Sequence, residues 1–176
     1  MIGIIAGVIT SFAKPDLLKV ILDGFQEKFG SDPALDINLV MQIFSQNVIA
    51  SLIAVFGGLL LGLGSILVVV VNGFLIGFVI TSIFSLSQDH LGISLAFVLG
   101  GTLPHGIFEL PAFLIASALG LRLGLEWIGR GVKGERGQVF KDNLKKSLLA
   151  LPAIALILLI AAIIEVFVSG KIVANF

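Results

Sequence analysis

Residues 37–88 read INLVMQIFSQNVIASLIAVFGGLLLGLGSILVVVVNGFLIGFVITSIFSLSQ, and none of them is charged. A membrane-spanning helix takes about 20 apolar residues, so this run is too long for one span and suits two. Gly57, Gly58, Gly62 and Gly64 cluster inside it and mark a turn. The reading predicts helices at residues 40–61 and 65–86. Gly58/Gly62 and Gly73/Gly77 are small residues four apart, a spacing that lets helix backbones approach closely, and generic tight packing is the simplest account of it.

The rest of the chain fits that class. Hydrophobic residues make up 57% of the 176 and charged residues only 12%, about half the charged fraction of a soluble domain. Mean hydropathy is +1.14. The expectation is an all-α polytopic transmembrane helix bundle, with residues 1–176 forming a single integral membrane domain. Cysteine is absent, which excludes disulfides, thiolate metal sites and thiol nucleophiles. Residues 1–13 are apolar, lack a basic leading region, and are short for a span. They form either a clipped or tilted first span or a segment lying in the interface.

Residues 14–36 are the first polar stretch, punctuated by Pro15, Gly30 and Pro33. Leu17, Leu18, Ile21, Leu22 and Phe25 recur at helical spacing opposite Asp16, Lys19, Asp23 and Lys28, the pattern of an amphipathic surface or connecting helix. The segment carries three basic and five acidic residues, a net of −2, whereas residues 122–146 carry seven basic and three acidic, a net of +4. The positive-inside rule places the basic 122–146 loop in the cytoplasm and 14–36 outside. Trp127 fits an interfacial anchor. A last span is expected at 147–168. The N-terminus is cytoplasmic if residues 1–13 cross and external if they do not. The expected location is the plasma membrane, multi-pass.

The polar centre lies at Gly101-Thr-Leu-Pro-His-Gly-Ile-Phe-Glu-Leu-Pro-Ala112. Between His90 and Arg122 the ionisable side chains are His105 and Glu109, and such groups are costly in lipid. Gly92, Ala96 and Gly100 form one small-residue stripe and Ala112, Ala116, Gly120 and Gly124 another. Gly100-Gly101 and Pro104 between them predict a broken or re-entrant central helix, with Thr102 as an N-cap and Pro104 in the first turn. Pro111 deprives the Ile107 carbonyl of its partner and predicts a kink. His105 and Glu109, four apart, share a helix face that also carries the second stripe and is expected to turn into the bundle.

Three readings of this pair stay open. In the first, it simply holds the kink together through hydrogen bonds. As a second reading, imidazole and carboxylate are ligands for a divalent metal, and with zinc normally wanting three protein ligands, Glu165, Asn72 or His90 would have to converge. As a third, the pair belongs to a proton or ion path. Asn47 and Asn72 interrupt apolar runs and are candidates for bonds between helices. Glu165 sits near the outer end of the last span and is expected to turn inward. Gly-x-Ser-x-Gly, His-Glu-x-x-His, phosphate loops and nucleic-acid signatures do not occur.

Three stretches resemble the stage II sporulation protein M family of integral membrane proteins. They are Asn72-Gly73-Phe74 with Gly77, then Leu103-Pro-His-Gly-Ile-Phe-Glu-Leu-Pro-Ala112 followed by Gly120-Leu-Arg-Leu-Gly124, and last Ala162-Ile-Ile-Glu165 with Phe167. The resemblance runs from Asn47 onward and departs at the N-terminus, where family members usually begin with a fuller first span. It implies a helical membrane scaffold and adds weight to His105, Glu109 and Glu165, while supplying no reaction. The family's namesake is implied to anchor peptidoglycan hydrolases during engulfment in spore formers. The leading expectation is therefore a non-enzymatic membrane scaffold or assembly factor. Its partners are the lipid bilayer and membrane or cell-envelope proteins, with homo-oligomerisation through the small-residue stripes. The alternative is an ion or solute transporter, or a metal-dependent intramembrane protein, using the His105/Glu109 pocket.

Overall fold

The computed structural model describes residues 1–20, 35–86, 103–129 and 136–169, with 103–105, 127 and 129 described by backbone only. Among these residues there are five long helices and no strand: α1 (Ile2–Ala13), α2 (Ile37–Phe56), α3 (Leu63–Leu86), α4 (Leu103–Gly129) and α5 (Arg136–Ile164). A short 3-10 turn, Gly57–Leu59, follows α2, and α5 widens at its end into a π-helical turn, Glu165–Ser169. Four stretches are long and apolar enough to cross a membrane: Ile37–Leu59, Leu63–Ser85, Gly106–Glu126 and Arg136–Ser169. The chain is an all-α polytopic bundle of the kind that embeds in a membrane. His90, the Gly92/Ala96/Gly100 stripe, the Gly100-Gly101 break and the Thr102 cap lie outside the described residues.

Each helix boundary has a local cause. Asp36 caps α2: its Oδ1 accepts the backbone N–H groups of Asn38 and Leu39 at 2.9 and 3.0 Å, satisfying two donors that the helix itself leaves unpaired. These bonds to Leu39 and Asn38 hold the Asp36 carboxyl below its usual value. The turn to α3 closes with Leu61 and Gly62 at positive φ, 54° and 79°, a conformation glycine adopts without steric cost. The Gly62 N–H donates to the Gly58 carbonyl at 2.6 Å.

Helix α4 runs without interruption through Pro111, and α5 through Pro152. A proline in a membrane helix removes one hydrogen bond, and its surroundings keep the helix going. The basic segment is also helical for most of its length, because α4 continues to Gly129 and α5 begins at Arg136. The pairs Arg122–Glu126 and Gln138–Asp142, each four residues apart, support helix beyond the apolar stretch.

The chain divides into two compact units. In the first (Met1–Gln42, Val70–Gly106, Ala162–Phe176), α1 packs against α3 backbone to backbone. A methyl group at Gly3 would run into Val70 and Phe74, one at Gly7 into Phe74 and Phe78, and one at Gly77 into Ile4. Gly3 and Gly7 climb α1 as Val70 and Phe74 climb α3, so the two helices are parallel. Phe78 is fully buried there, and its ring stacks on Phe74 with centroids 5.9 Å apart. Residues 1–13 are thus packed along α3, a helix long and apolar enough to cross a membrane.

In the second unit (Ile43–Val69, Ile107–Ala161), Ala54, Val55, Val68, Ala112, Phe113, Ala116, Ile154 and Leu158 form one cluster joining α2, α3, α4 and α5. Small residues share the inside with Phe113, Leu123, Ile154 and Leu158, while many large apolar ones point out: Ala116 is 0% exposed, Leu149 69%. That inversion suits lipid, where apolar side chains gain nothing by turning inward and close packing decides. The stripe Ala112/Ala116/Gly120/Gly124 is buried as expected. A Cβ at Gly120 would overlap the Ala54 carbonyl and Ser65 Oγ, and one at Gly124 would overlap Gly58. The small-residue spacings are therefore used for packing within the chain.

Candidate functional site

Glu109 lies on α4 one turn before the stripe. It is half-buried, and its carboxylate accepts a hydrogen bond from the side chain of Asn47 on α2. The two helices are held in a fixed register. Gly58 meets Gly120, and counting 11 residues back along either helix reaches Asn47 and Glu109. At about 1.5 Å per residue the polar pair sits roughly 16 Å from the glycine contact. Helices α2 and α4 are parallel, welded at one level by glycines and clasped at another by an amide and a carboxylate.

The other expected site residues are placed as follows. His105 and Pro104 belong to the first turns of α4, and the side chains of both lie outside the described residues. Pro111 is exposed on α4, so the Ile107 carbonyl that it leaves unpartnered lies on the side facing away from the core. Asn72 is half-buried on α3. Glu165, also half-buried, opens the π-helical turn after α5. Glu165 falls in the first unit and Glu109 in the second. Among the described residues no three of His, Asp and Glu come together as a metal site would require.

Other polar groups were not singled out by sequence. Ser65 Oγ donates to the Ala54 carbonyl at 2.7 Å, joining α3 to α2 beside Gly120. Asn143, only 5% exposed, ties α5 to α4: its Nδ2 donates to Glu126 Oε2 at 3.1 Å and to the Arg122 carbonyl at 3.4 Å. The hydroxyls of Ser51, Ser82, Ser117 and Ser147 are buried with no hydrogen-bond partner among the described residues. Ser51 also lines an apolar cleft of about 290 Å³ between α2 and α5, with Val48, Leu52, Leu148, Leu151 and Pro152. No residue type in this cleft supplies a nucleophile with its base. A single Asn among lysines is weak as a sequence signal; only its burial identifies Asn143.

Comparisons with known proteins bear on the whole chain. No solved structure matches it. An uncharacterized protein of Methanocaldococcus jannaschii is 32% identical over 134 residues, covering 74% of this chain and 70% of that one. The family model described as stage II sporulation protein M matches residues 1–170, so the likeness extends through α1, beyond the stretch that the motifs carry. By that match the chain belongs to the stage II sporulation protein M family.

Proposed function

We propose that this protein is a non-enzymatic membrane scaffold or assembly factor, with the polar centre around His105 and Glu109 serving to hold its helices together. The observation that carries this reading is the clasp between Asn47 and Glu109. A carboxylate within a span needs a partner, and here a neighbouring helix provides it. Backbone contacts at Gly58, Gly120 and Gly124 leave these helices little freedom to slide. Partner proteins of the membrane or cell envelope would dock through 14–36, the basic helical ends or the lipid-facing spans.

In this reading the membrane is the plasma membrane and the basic 122–146 segment is cytoplasmic. The 57–62 turn shares that side. Because α1 runs parallel to α3, the N-terminus starts from the cytoplasmic side as well. A second reading, ion or solute transport or metal chemistry at His105, Glu109 and Glu165, draws on one observation. The clasp lies roughly 16 Å from the glycine contact at the inner end, near the middle of a hydrocarbon layer about 30 Å thick.

Proteoliposomes loaded with a pH-sensitive dye separate the two. The scaffold reading expects an imposed proton or sodium gradient to decay at the rate of empty vesicles, for the wild type and for Glu109→Gln alike. A flux present in the wild type and abolished in Glu109→Gln overturns it. So does stoichiometric metal in the purified protein that disappears in His105→Ala.

A further inference from the structure

At the end of the bundle where α4 leaves its apolar stretch, three residues are joined by polar contacts. Arg122 Nε donates to Glu126 Oε1 at 3.0 Å, Asn143 Nδ2 donates to Glu126 Oε2 at 3.1 Å, and the same Nδ2 reaches the Arg122 carbonyl at 3.4 Å. Among the described residues the clamp engages the guanidinium at Nε. The side chain stays 52% exposed, and its two terminal amines are donors outside the clamp. Lys146, exposed and three residues after Asn143, sits on the shoulder of the same α5 face; Arg136, exposed and seven residues before Asn143, lies along that face. Counting Glu126, this seam carries a net charge of +2. The nearby Asp142 carboxylate is turned to Gln138, accepting its amide at 2.9 Å.

The level of this seam matters as much as its charge. Arg122 ends the apolar part of α4 and Lys146 precedes the apolar part of α5, so both mark where hydrocarbon gives way to headgroups. Below them Leu148 and Leu149 are exposed, at 48% and 69%, as surfaces for acyl chains. A planar guanidinium oriented by a hydrogen bond at its Nε matches the paired oxygens of a phosphate. Basic pockets between helices on one side of a membrane are suited to anionic headgroups.

We propose that the α4–α5 seam binds the phosphate headgroup of an anionic phospholipid in the adjoining leaflet, with Arg122 and Lys146 as its direct contacts and Arg136 as a peripheral charge. Asn143 and Glu126 are positioning residues that hold the Arg122 fork at the headgroup level. The bound lipid fixes the α4–α5 pair at the membrane surface.

The test uses the full chain in a neutral detergent, with phosphatidylglycerol or phosphatidylcholine added and retention read by native mass spectrometry. Each basic residue at a membrane surface contributes about fivefold in affinity. The wild type should retain phosphatidylglycerol over phosphatidylcholine by about 25-fold. Lys146→Gln, which touches no part of the clamp, should lower that preference about fivefold, and Arg122→Gln/Lys146→Gln should abolish it. Melting in detergent alone reports whether the double variant is folded, and Lys146→Gln carries the test if it is not. An equal preference in wild type and Lys146→Gln overturns the site. So does displacement of the lipid by millimolar inorganic phosphate, which would mark a site for free anions.

Discussion

Gly120→Ala inserts one methyl group where α4 touches α2 and α3. The new carbon would overlap the Ala54 carbonyl and Ser65 Oγ and come within 2.9 Å of the Val55 carbonyl. Two of these three neighbours are backbone and cannot rotate away. Overpacking of this kind costs about 3 kcal/mol, at the upper end of the usual range. Displacing Ser65 from its 2.7 Å bond to Ala54 adds about 0.6–1.7 kcal/mol. Alanine returns about 1 kcal/mol as a better helix former than glycine. The net loss is about 3–4 kcal/mol, which for a chain of this size lowers Tm by about 6–16 °C. Thermal unfolding in detergent, followed by the fraction that stays monodisperse after heating, reads it directly. Gly106→Ala is the internal control, because nothing among the described residues lies within 4 Å of a Cβ there, and it should be neutral or stabilising. Equal melting of the two variants would refute the idea that glycine contacts set the α2–α4 distance.

Four further outcomes follow from individual contacts. Asn47→Leu should destabilise by about 0.6–2 kcal/mol, the range for bonds between membrane helices, whereas Glu109→Gln keeps an acceptor for Asn47 and should be milder; the opposite order in a melting series would contradict the clasp. Asn143→Ala removes both bonds from α5 to α4 and should cost about 1–3 kcal/mol, visible in denaturant titration. Gly7→Val puts a branched side chain against Phe74 and Phe78 and should expose α1 to protease before the rest of the bundle unfolds. Asp36 has its folded-state carboxyl below the unfolded value of 3.8, chiefly through its bond to Leu39. Its capping contribution is full above that value and fades as pH falls through and below it. Amide-exchange protection at Asn38 and Leu39 should therefore drop below about pH 4, and Asp36→Ala should show the same low protection at every pH.

The class was legible because lipid imposes a crude rule: runs without charge must be helical and long enough to cross. The turn at 57–62 was legible through its glycines, and the burial of Ala112, Ala116 and Gly120 through their spacing. Partners across helices were not. Asn47 and Glu109 both stood out as polar residues in apolar runs, but helical periodicity says nothing about which helix meets which. Their pairing follows from the Gly58–Gly120 contact, a tertiary fact. Hydropathy marked the apolar part of α5 and not where its helix begins, since helix propensity and pairs such as Gln138–Asp142 carry α5 back to Arg136. The Asp36 cap was readable, an acidic residue just before an apolar helix, and was passed over in favour of the charge balance around it.

The interlock of α1 with α3 has a consequence for how the chain is made. The glycines of α1 are matched by Val70, Phe74 and Phe78, so the first helix emerges from the ribosome about 70 residues before its seat exists, a wait of several seconds at ordinary elongation rates. During that interval α1 is a short apolar helix with two bare glycine notches. Whatever shelters α1 then, insertion machinery or lipid, must release it again, and the shortness of a twelve-residue helix, too few residues to span a membrane on its own, is what makes such a release easy.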